Sequence, residues 1–276
     1  MQYQDFIIKE KSVELINLAD IHLGHRNCDK NILSHTLTYI ENHKCLWIGG
    51  GDYGDAIIPN DPRFDINSID KNFLAPKQQY DKITELFKPI RKKCLVLLEG
   101  NHDYYLWKRN QNSLISLYGE EEGKHGFVYN MAKDLGVLYG TIDSYIRLHF
   151  EKFDVDFDIY AHHGWTGART AGARVARIYD LYNVFPMLDL YIMNHIHALS
   201  MAEPKTSLFI NNGEIRDKIS RFMYGGSYLR GYQLGTMSYV EEKTYTPTTL
   251  GSPKLTITAK EGKNGLNFDI AFHEIR

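Results

Sequence analysis

The chain of 276 residues reads as a layered α/β sandwich. Three observations predict it. Strand-like apolar runs alternate with helix-like stretches through the first two-thirds, and β-like runs dominate the last third. Five of the strand runs also end in a cluster of Asp, Asn or His. In open α/β folds ligands bind beyond the carboxyl ends of strands, so five such loops can converge on one cleft.

In chain order, Val13 to Ala19 reads as a strand ending at Asp20-Ile21-His22-Leu23-Gly24-His25. Over residues 28–42, Ile32, Leu33, Leu37 and Ile40 recur at helical spacing. Leu46-Trp47-Ile48 is a buried strand that runs into Gly49-Gly50-Gly51-Asp52-Tyr53-Gly54-Asp55. Residues 56–75, with Pro59 and Pro62, read as an inserted loop. Pro76 opens a helix carrying Ile83, Leu86, Phe87 and Ile90 on one face. The strand Leu95 to Leu98 then delivers Glu99-Gly100-Asn101-His102-Asp103. Beyond it the pattern predicts a helix from about Tyr104 to Tyr118, a loop over 119–126 and two strands between Val137 and Phe150. Phe157 to Ala161 is a strand ending at His162-His163-Gly164-Trp165, followed by a helix over 171–183. Leu188 to Met193 is a strand ending at Asn194-His195-Ile196-His197. The β-rich part over about 205–276 holds short runs such as 207–210 and 254–258. Neither a repeat nor a linker is visible, so a single domain over 1–276 is expected.

The hydrophobic share of 43% supports a sizeable core and argues against a disordered chain. A net charge of -2 gives no global basic field to recruit nucleic acid, which leaves only local patches. Cys28, Cys45 and Cys94 are odd in number and far apart, which argues against a disulfide framework and for a reducing compartment. With no basic-then-apolar leader and no bilayer-length apolar run, a cytoplasmic protein without a membrane partner is expected.

Pooled, the strand ends offer Asp20, His22, Asp52, Asn101, His102, His162, His163, His195 and His197. These are oxygen and nitrogen donors without thiolate, a set suited to Mn, Fe, Zn, Ni or Co rather than Ca or Mg. Asp20 and His22 are two apart, as are His195 and His197, so in extended backbone each pair points to one side. The set exceeds what one ion needs; two ions with a carboxylate between them use it better. Such a pair clamps a phosphoryl group, generates hydroxide at neutral pH and stabilises both oxygens of an in-line displacement. A spare imidazole can give a proton to the leaving group. Any single cluster is more often an ordinary turn. Their shared placement at strand ends carries the reading.

Laid out in order, Asp20-Ile21-His22, Gly51-Asp52-Tyr53-Gly54-Asp55, Gly100-Asn101-His102-Asp103, His162-His163-Gly164 and Asn194-His195-Ile196-His197 resemble the motifs of the calcineurin-like metallophosphoesterases, and the resemblance runs from about residue 13 to 231. It implies a four-layer α/β/β/α sandwich of two mixed sheets flanked by helices. It also implies two divalent metal ions, Mn first, with Fe, Zn, Ni or Co as alternatives. By resemblance, Asp20, His22 and His197 would hold one ion, Asp52 would bridge, and Asn101, His162 and His195 would hold the other. His102 is similar to the family histidine that contacts the scissile phosphate; Asp103 would orient it, and Asp55 would support the loop around Asp52. Two features depart from the family pattern. Asn194 stands where Gly is usual, and the fourth motif offers two histidines. Family strands usually give up their ligand at the first position after the apolar run, which assigns His162 and leaves His163 behind it or facing substrate.

Residues 19–24 and Met223 to Tyr228 look like the repair-exonuclease branch of that family. Arg169, Arg174 and Arg177, with Tyr104, Trp107 and Arg109, could form a basic, aromatic rim for a phosphate backbone and stacked bases. The same arginines read equally as a solvated helix face, and the aromatics as core. The activity implied is hydrolysis of phosphodiester bonds in DNA, other nucleic acid or nucleotides by metal-activated hydroxide. The alternatives are a phosphomonoesterase of small molecules or phosphoproteins, and a non-catalytic binding or scaffold protein on the same fold. The complete donor set and the intact His102 stand against the last.

Overall fold

Strand alternation sets the architecture. In the computed structural model, which describes residues 1–61, 63–165, 167–168, 170–235, 239–242, 244–262 and 265–276, the elements are β1 (Gln2–Ile8), β2 (Ser12–Leu18), α1 (Lys30–Asn42), β3 (Cys45–Gly49), α2 (Pro76–Phe87), β4 (Cys94–Leu97), α3 (Asn101–Tyr118), α4 (Glu120–His125) and α5 (Phe127–Leu135). They continue with β5 (Asp143–Phe150), β6 (Val155–His162), α6 (Ala171–Val184), β7 (Leu190–Met193), β8 (Met201–Asn211), β9 (Glu214–Tyr224), α7 (Tyr239–Glu242), β10 (Ser252–Gly262) and β11 (Gly265–Ile275).

One sheet has the order β1-β5-β6-β7-β9-β8 and the other β11-β10-β2-β3-β4. Both are mixed. β6, β7 and β9 run parallel, as do β2, β3 and β4, while β5 lies antiparallel to β6 and β10 antiparallel to β2. Successive side chains of a strand face opposite sides, and the buried residues divide accordingly. Leu15 points between the sheets with Ile48, Val96, Ile146, Ile159 and Ile257. Ile16 and Leu18 point outward onto Leu37 and Ile40 of α1, Ile83 and Phe87 of α2, and Val128 and Met131 of α5. On the outer face of the other sheet, Tyr160, Tyr191 and Phe222 pack on Ile178 and Leu181 of α6. The result is the four-layer α/β/β/α sandwich that the resemblance implies.

Four local expectations change. α3 begins at Asn101 rather than near Tyr104, because Asp103, in its first turn, accepts the Gly100 N–H and caps the helix. The helix is kinked at Asn110, which has φ −125° and ψ 18°. Residues 119–126 are not a loop: α4 forms there, and α5 follows with Phe127, Val128, Met131 and Leu135 in the core. Val137 to Phe150 holds one strand, β5, which pairs parallel with the unexpected N-terminal β1. The tail forms two hairpins of long strands instead of short runs, since β10 pairs along its length with β11 and also with β2.

The three cysteines are unpaired. No described helix is long and apolar enough to cross a membrane. The carboxyl ends of β2, β3, β4, β6 and β7 open on one edge of the sandwich, and the polar clusters sit there. Leu15 is fully buried between the sheets, away from that edge. Leu15→Ala is therefore expected to lower unfolding free energy by about 2–5 kcal/mol in a urea titration; a loss well under 1 kcal/mol would show that this layer is not packed as described.

Candidate metal centre

Backbone hydrogen bonds knit the loops together before any side chain is considered. Beyond the ends of β2 and β3, Asp20 N donates to Gly51 O at 3.0 Å, His22 N to Asp52 O at 3.0 Å, and Leu23 N to Tyr53 O at 2.9 Å. Asp52 N donates to Asp103 Oδ2 at 2.8 Å, and His102 N donates to Asp52 Oδ1 at 2.9 Å. A Cβ at Gly100 would lie 2.0 Å from Asp52 Oδ1, and one at Gly51 (φ +93°) 2.6 Å from Gly100 N, so this close approach requires glycine on both sides. Asp20, His22, Asp52, His195 and His197 all have φ between 50° and 66°, which makes them five of the eleven non-glycine residues with positive φ among those described. Such backbone conformations cost free energy and gather at functional sites.

The side chains then form two adjoining donor groups. In the first, His22 Nε2 lies 3.3 Å from His197 Nε2, and His197 Nε2 lies 3.4 Å from Asp20 Oδ1. Asp20 Oδ1 is buried and has no hydrogen-bond partner among the described residues. In the second, His163 Nε2 is 3.4 Å from Asp52 Oδ2. Asn101 turns its amide oxygen toward three further acceptors, His195 Nδ1 at 2.6 Å, His163 Nε2 at 3.1 Å and Asp52 Oδ2 at 3.2 Å; turned over, the amide would donate to all three. Asp52 Oδ2 also lies 3.9 Å from His22 Nε2, so this one oxygen faces both groups. Lone pairs crowded this closely repel unless a cation or proton stands among them. Asp20 with His22 and His197, and Asp52 with His163 and His195, each present ligand atoms within 4.8 Å of one another.

The electrostatics agree. Burial opposes the charge of Asp20, yet the His197 imidazole holds its carboxyl below the ordinary pKa. Burial opposes Asp52 too, and His163 and His102 hold it well below that value. Burial alone would lower the pKa of His163, but the neighbouring Asp52 reverses this and raises it to about 9. His22 is likewise raised against burial by its bond to Asp55 and by Asp52. The carboxylates therefore favour positive charge here, which protons on the imidazoles or a bound cation can supply. His195 goes the other way, lowered to about 4 by burial and by His163, and so stays neutral and able to coordinate.

Outer contacts aim the rings. His22 Nδ1 is 3.3 Å from Asp55 Oδ1, and His163 Nδ1 is 2.7 Å from Gly50 O, which leaves each Nε2 lone pair facing inward. His102 Nδ1 donates to Asp55 O at 2.6 Å, and its ring meets that of His22 edge-on with centroids 4.7 Å apart.

Two expected roles give way to different placements. His163, not His162, enters the donor group. His162 shares the strand face of Tyr160, accepts Gly164 N at its Nδ1 (2.7 Å) and packs edge-on against Trp165, with its pKa lowered to about 4 by burial. Asp103 does not touch the His102 ring. Consecutive positions on a helix diverge, and Asp103 instead accepts Gly100 N, Asp52 N and the Tyr80 hydroxyl. Among the expected substrate contacts, Arg169 lies outside the described residues. Arg174 donates to Ala168 O at 3.4 Å, and Arg177 pairs with Asp180 at 3.1 Å. Trp107 Nε1 donates to Lys124 O at 3.0 Å, Tyr104 packs on Trp107, and the Arg109 guanidinium lies 4.7 Å over Tyr105. None of the described ones bonds to the donor groups. Arg63, which the sequence reading passed over, does reach the site: its Nη1 is 3.0 Å from His102 Nε2.

No protein-family model and no curated protein matches the chain. Among solved structures it is similar to wild-type Vps29 of Entamoeba histolytica complexed with zinc (12% identity, TM-score 0.42, covering 94% of this chain and 99% of that one). It is also similar to vacuolar protein sorting 29 of Cryptosporidium parvum (13% identity, TM-score 0.40, 95% and 98%). A third likeness is to an uncharacterized protein, a predicted phosphoesterase, of Streptococcus pneumoniae (12% identity, TM-score 0.39, 96% and 93%).

Two outcomes follow from this geometry. His163→Ala is expected to hold less divalent metal than wild type in a metal-content measurement after dialysis while His162→Ala keeps the wild-type content; the reverse order would return the ligand role to His162. Burial, with Asp52 beside it, pushes the Asp103 carboxyl up to about 7. Between about pH 4 and 7 the native state thus keeps a proton that the unfolded chain has lost, and this group's contribution to stability falls as pH rises. In metal-free protein Asp103→Asn should therefore gain in unfolding free energy relative to wild type across that window; a constant difference would contradict the shift.

Proposed function

We propose that the protein is a metal-dependent phosphoesterase of the calcineurin-like type that holds two divalent ions, Mn2+ first, and hydrolyses phosphodiesters of the nucleotide or nucleic-acid class. The observation that supports it is Asp52 Oδ2, which faces His22 Nε2 at 3.9 Å on one side and His163 Nε2 at 3.4 Å on the other. On this reading Asp20, His22 and His197 hold one ion, Asn101, His163 and His195 the other, and Asp52 both. When bound, such a pair supplies Lewis-acid activation of water and of the phosphoryl oxygens.

The chain's own groups do the rest. Asp55 and the Gly50 carbonyl fix two of the rings so that their Nε2 lone pairs converge. Burial lowers the pKa of His102, and its Nδ1 proton is committed to Asp55 O, so Nε2 is an acceptor in the resting chain. A phosphate's negative charge favours protonation of that nitrogen, from which a proton can pass to the leaving oxygen. The diester preference rests on the likeness of residues 19–24 and 223–228 to the repair-exonuclease branch. Consistent with a shared role for these two stretches, Ser227 Oγ and Tyr228 N both donate to Asp20 O, at 3.1 and 3.0 Å.

The test is turnover of an aryl phosphodiester, an aryl phosphomonoester, cyclic nucleotides, and single-stranded and duplex DNA with Mn2+, Ni2+, Zn2+ or Mg2+. Diester hydrolysis that Asp52→Asn abolishes, with loss of bound metal, is the expected result. Hydrolysis of monoesters alone would favour the phosphomonoesterase, and bound metal without turnover of any substrate would overturn catalysis.

A further inference from the structure

The inserted loop over 56–75 takes no part in the donor groups, yet it sends Arg63 to the rim of the site. The guanidinium is held by a fork: Nε donates to Asp61 Oδ1 at 2.9 Å and Nη2 to Asp61 Oδ2 at 2.8 Å. Among the described residues its remaining contact is Nη1 with His102 Nε2 at 3.0 Å. A guanidinium carries five N–H donors. Among the described residues three are used, so one on Nη1 and one on Nη2 are left over, on a side chain that is 40% exposed. A simple tether would not need this arrangement. Asp61 is two residues away in the same loop, so the fork ties the loop to nothing else; it sets the direction of the guanidinium. That direction is toward His102, whose ring abuts His22 of the first donor group.

We propose that Arg63 is an anion-binding residue of this site, aimed by Asp61, whose two free N–H groups take a non-bridging oxygen of a phosphate lying against His102. The proposal rests on the phosphoesterase reading and extends it: the donor groups supply cations on one side of the phosphate and the loop 56–75 a directed guanidinium on the other. Arginine suits this task because its planar fork can grip Asp61 with one edge and still offer N–H groups to a phosphate oxygen, and its charge does not titrate. Lysine would keep the charge and lose the fork.

The test is calorimetric titration of inorganic phosphate into the Mn2+-loaded protein, with metal content measured on each sample. Arg63→Ala is expected to weaken phosphate binding by about tenfold or more, Arg63→Lys by less, and Lys71→Ala, an exposed change in the same loop, not at all. All are expected to keep the wild-type metal content. Wild-type phosphate affinity in Arg63→Ala, or no phosphate binding by the wild type, overturns the proposal; so does loss of metal from Arg63→Ala, which would make the residue a brace of the site. Failure of the phosphoesterase reading looks different: phosphate binding would still depend on Arg63, but no phosphoester would be cleaved.

Discussion

Asp52 is where separate segments of the chain are made to meet. Its N–H is taken by Asp103, its Oδ1 by the His102 N–H, and its carbonyl by the His22 N–H, so the loops after β2, β3 and β4 are fixed to one residue. Its Oδ2 then faces the histidines of both sheets. A buried carboxylate with one oxygen so placed costs several kcal/mol unless positive charge stands beside it. The raised proton affinity of His163 and His22 is the chain's own partial answer. The two cations of the proposed function would complete it. The left-handed backbone at Asp52 and His22 is held against its conformational cost by the same hydrogen bonds.

The departure at Asn194 has a packing explanation. Its amide accepts from Asn17 at 2.7 Å and donates to His162 O at 3.2 Å, joining β2 of one sheet to β6 of the other just behind the donor groups. The space it fills exists because Gly50 and Gly225 have no side chains. A Cβ there would lie 2.5 Å from Asn194 Cγ and 1.8 Å from Asn194 Oδ1 respectively. A larger residue in the turn is thus matched by glycines opposite, and His195 N still reaches Asp20 Oδ2 at 3.0 Å.

The layers and the donor positions were legible because both follow from strand runs and what terminates them. The choice between His162 and His163 was legible as well, by face. In Phe157-Asp158-Ile159-Tyr160-Ala161 the odd positions are apolar and Asp158 marks the other side, so His163 continues the face that looks between the sheets. Counting from the end of the run hid this. The role of Asp103 depended on where α3 begins, and capping moved that start to Asn101. Arg63 carried no local signal, since only the path of the loop brings it to His102. The short helices α4 and α5 were missed because Gly119, Gly126 and Gly136 punctuate them like a loop.

Crystals grown with Mn2+ and measured on both sides of the manganese absorption edge test the proposed two-ion site most directly. Two anomalous peaks about 3.5–4 Å apart on either side of Asp52 Oδ2, with the Asn101 amide oxygen and His163 Nε2 against one of them, are the expected result. A single peak, or two peaks that leave Asp52 uncoordinated, would contradict it.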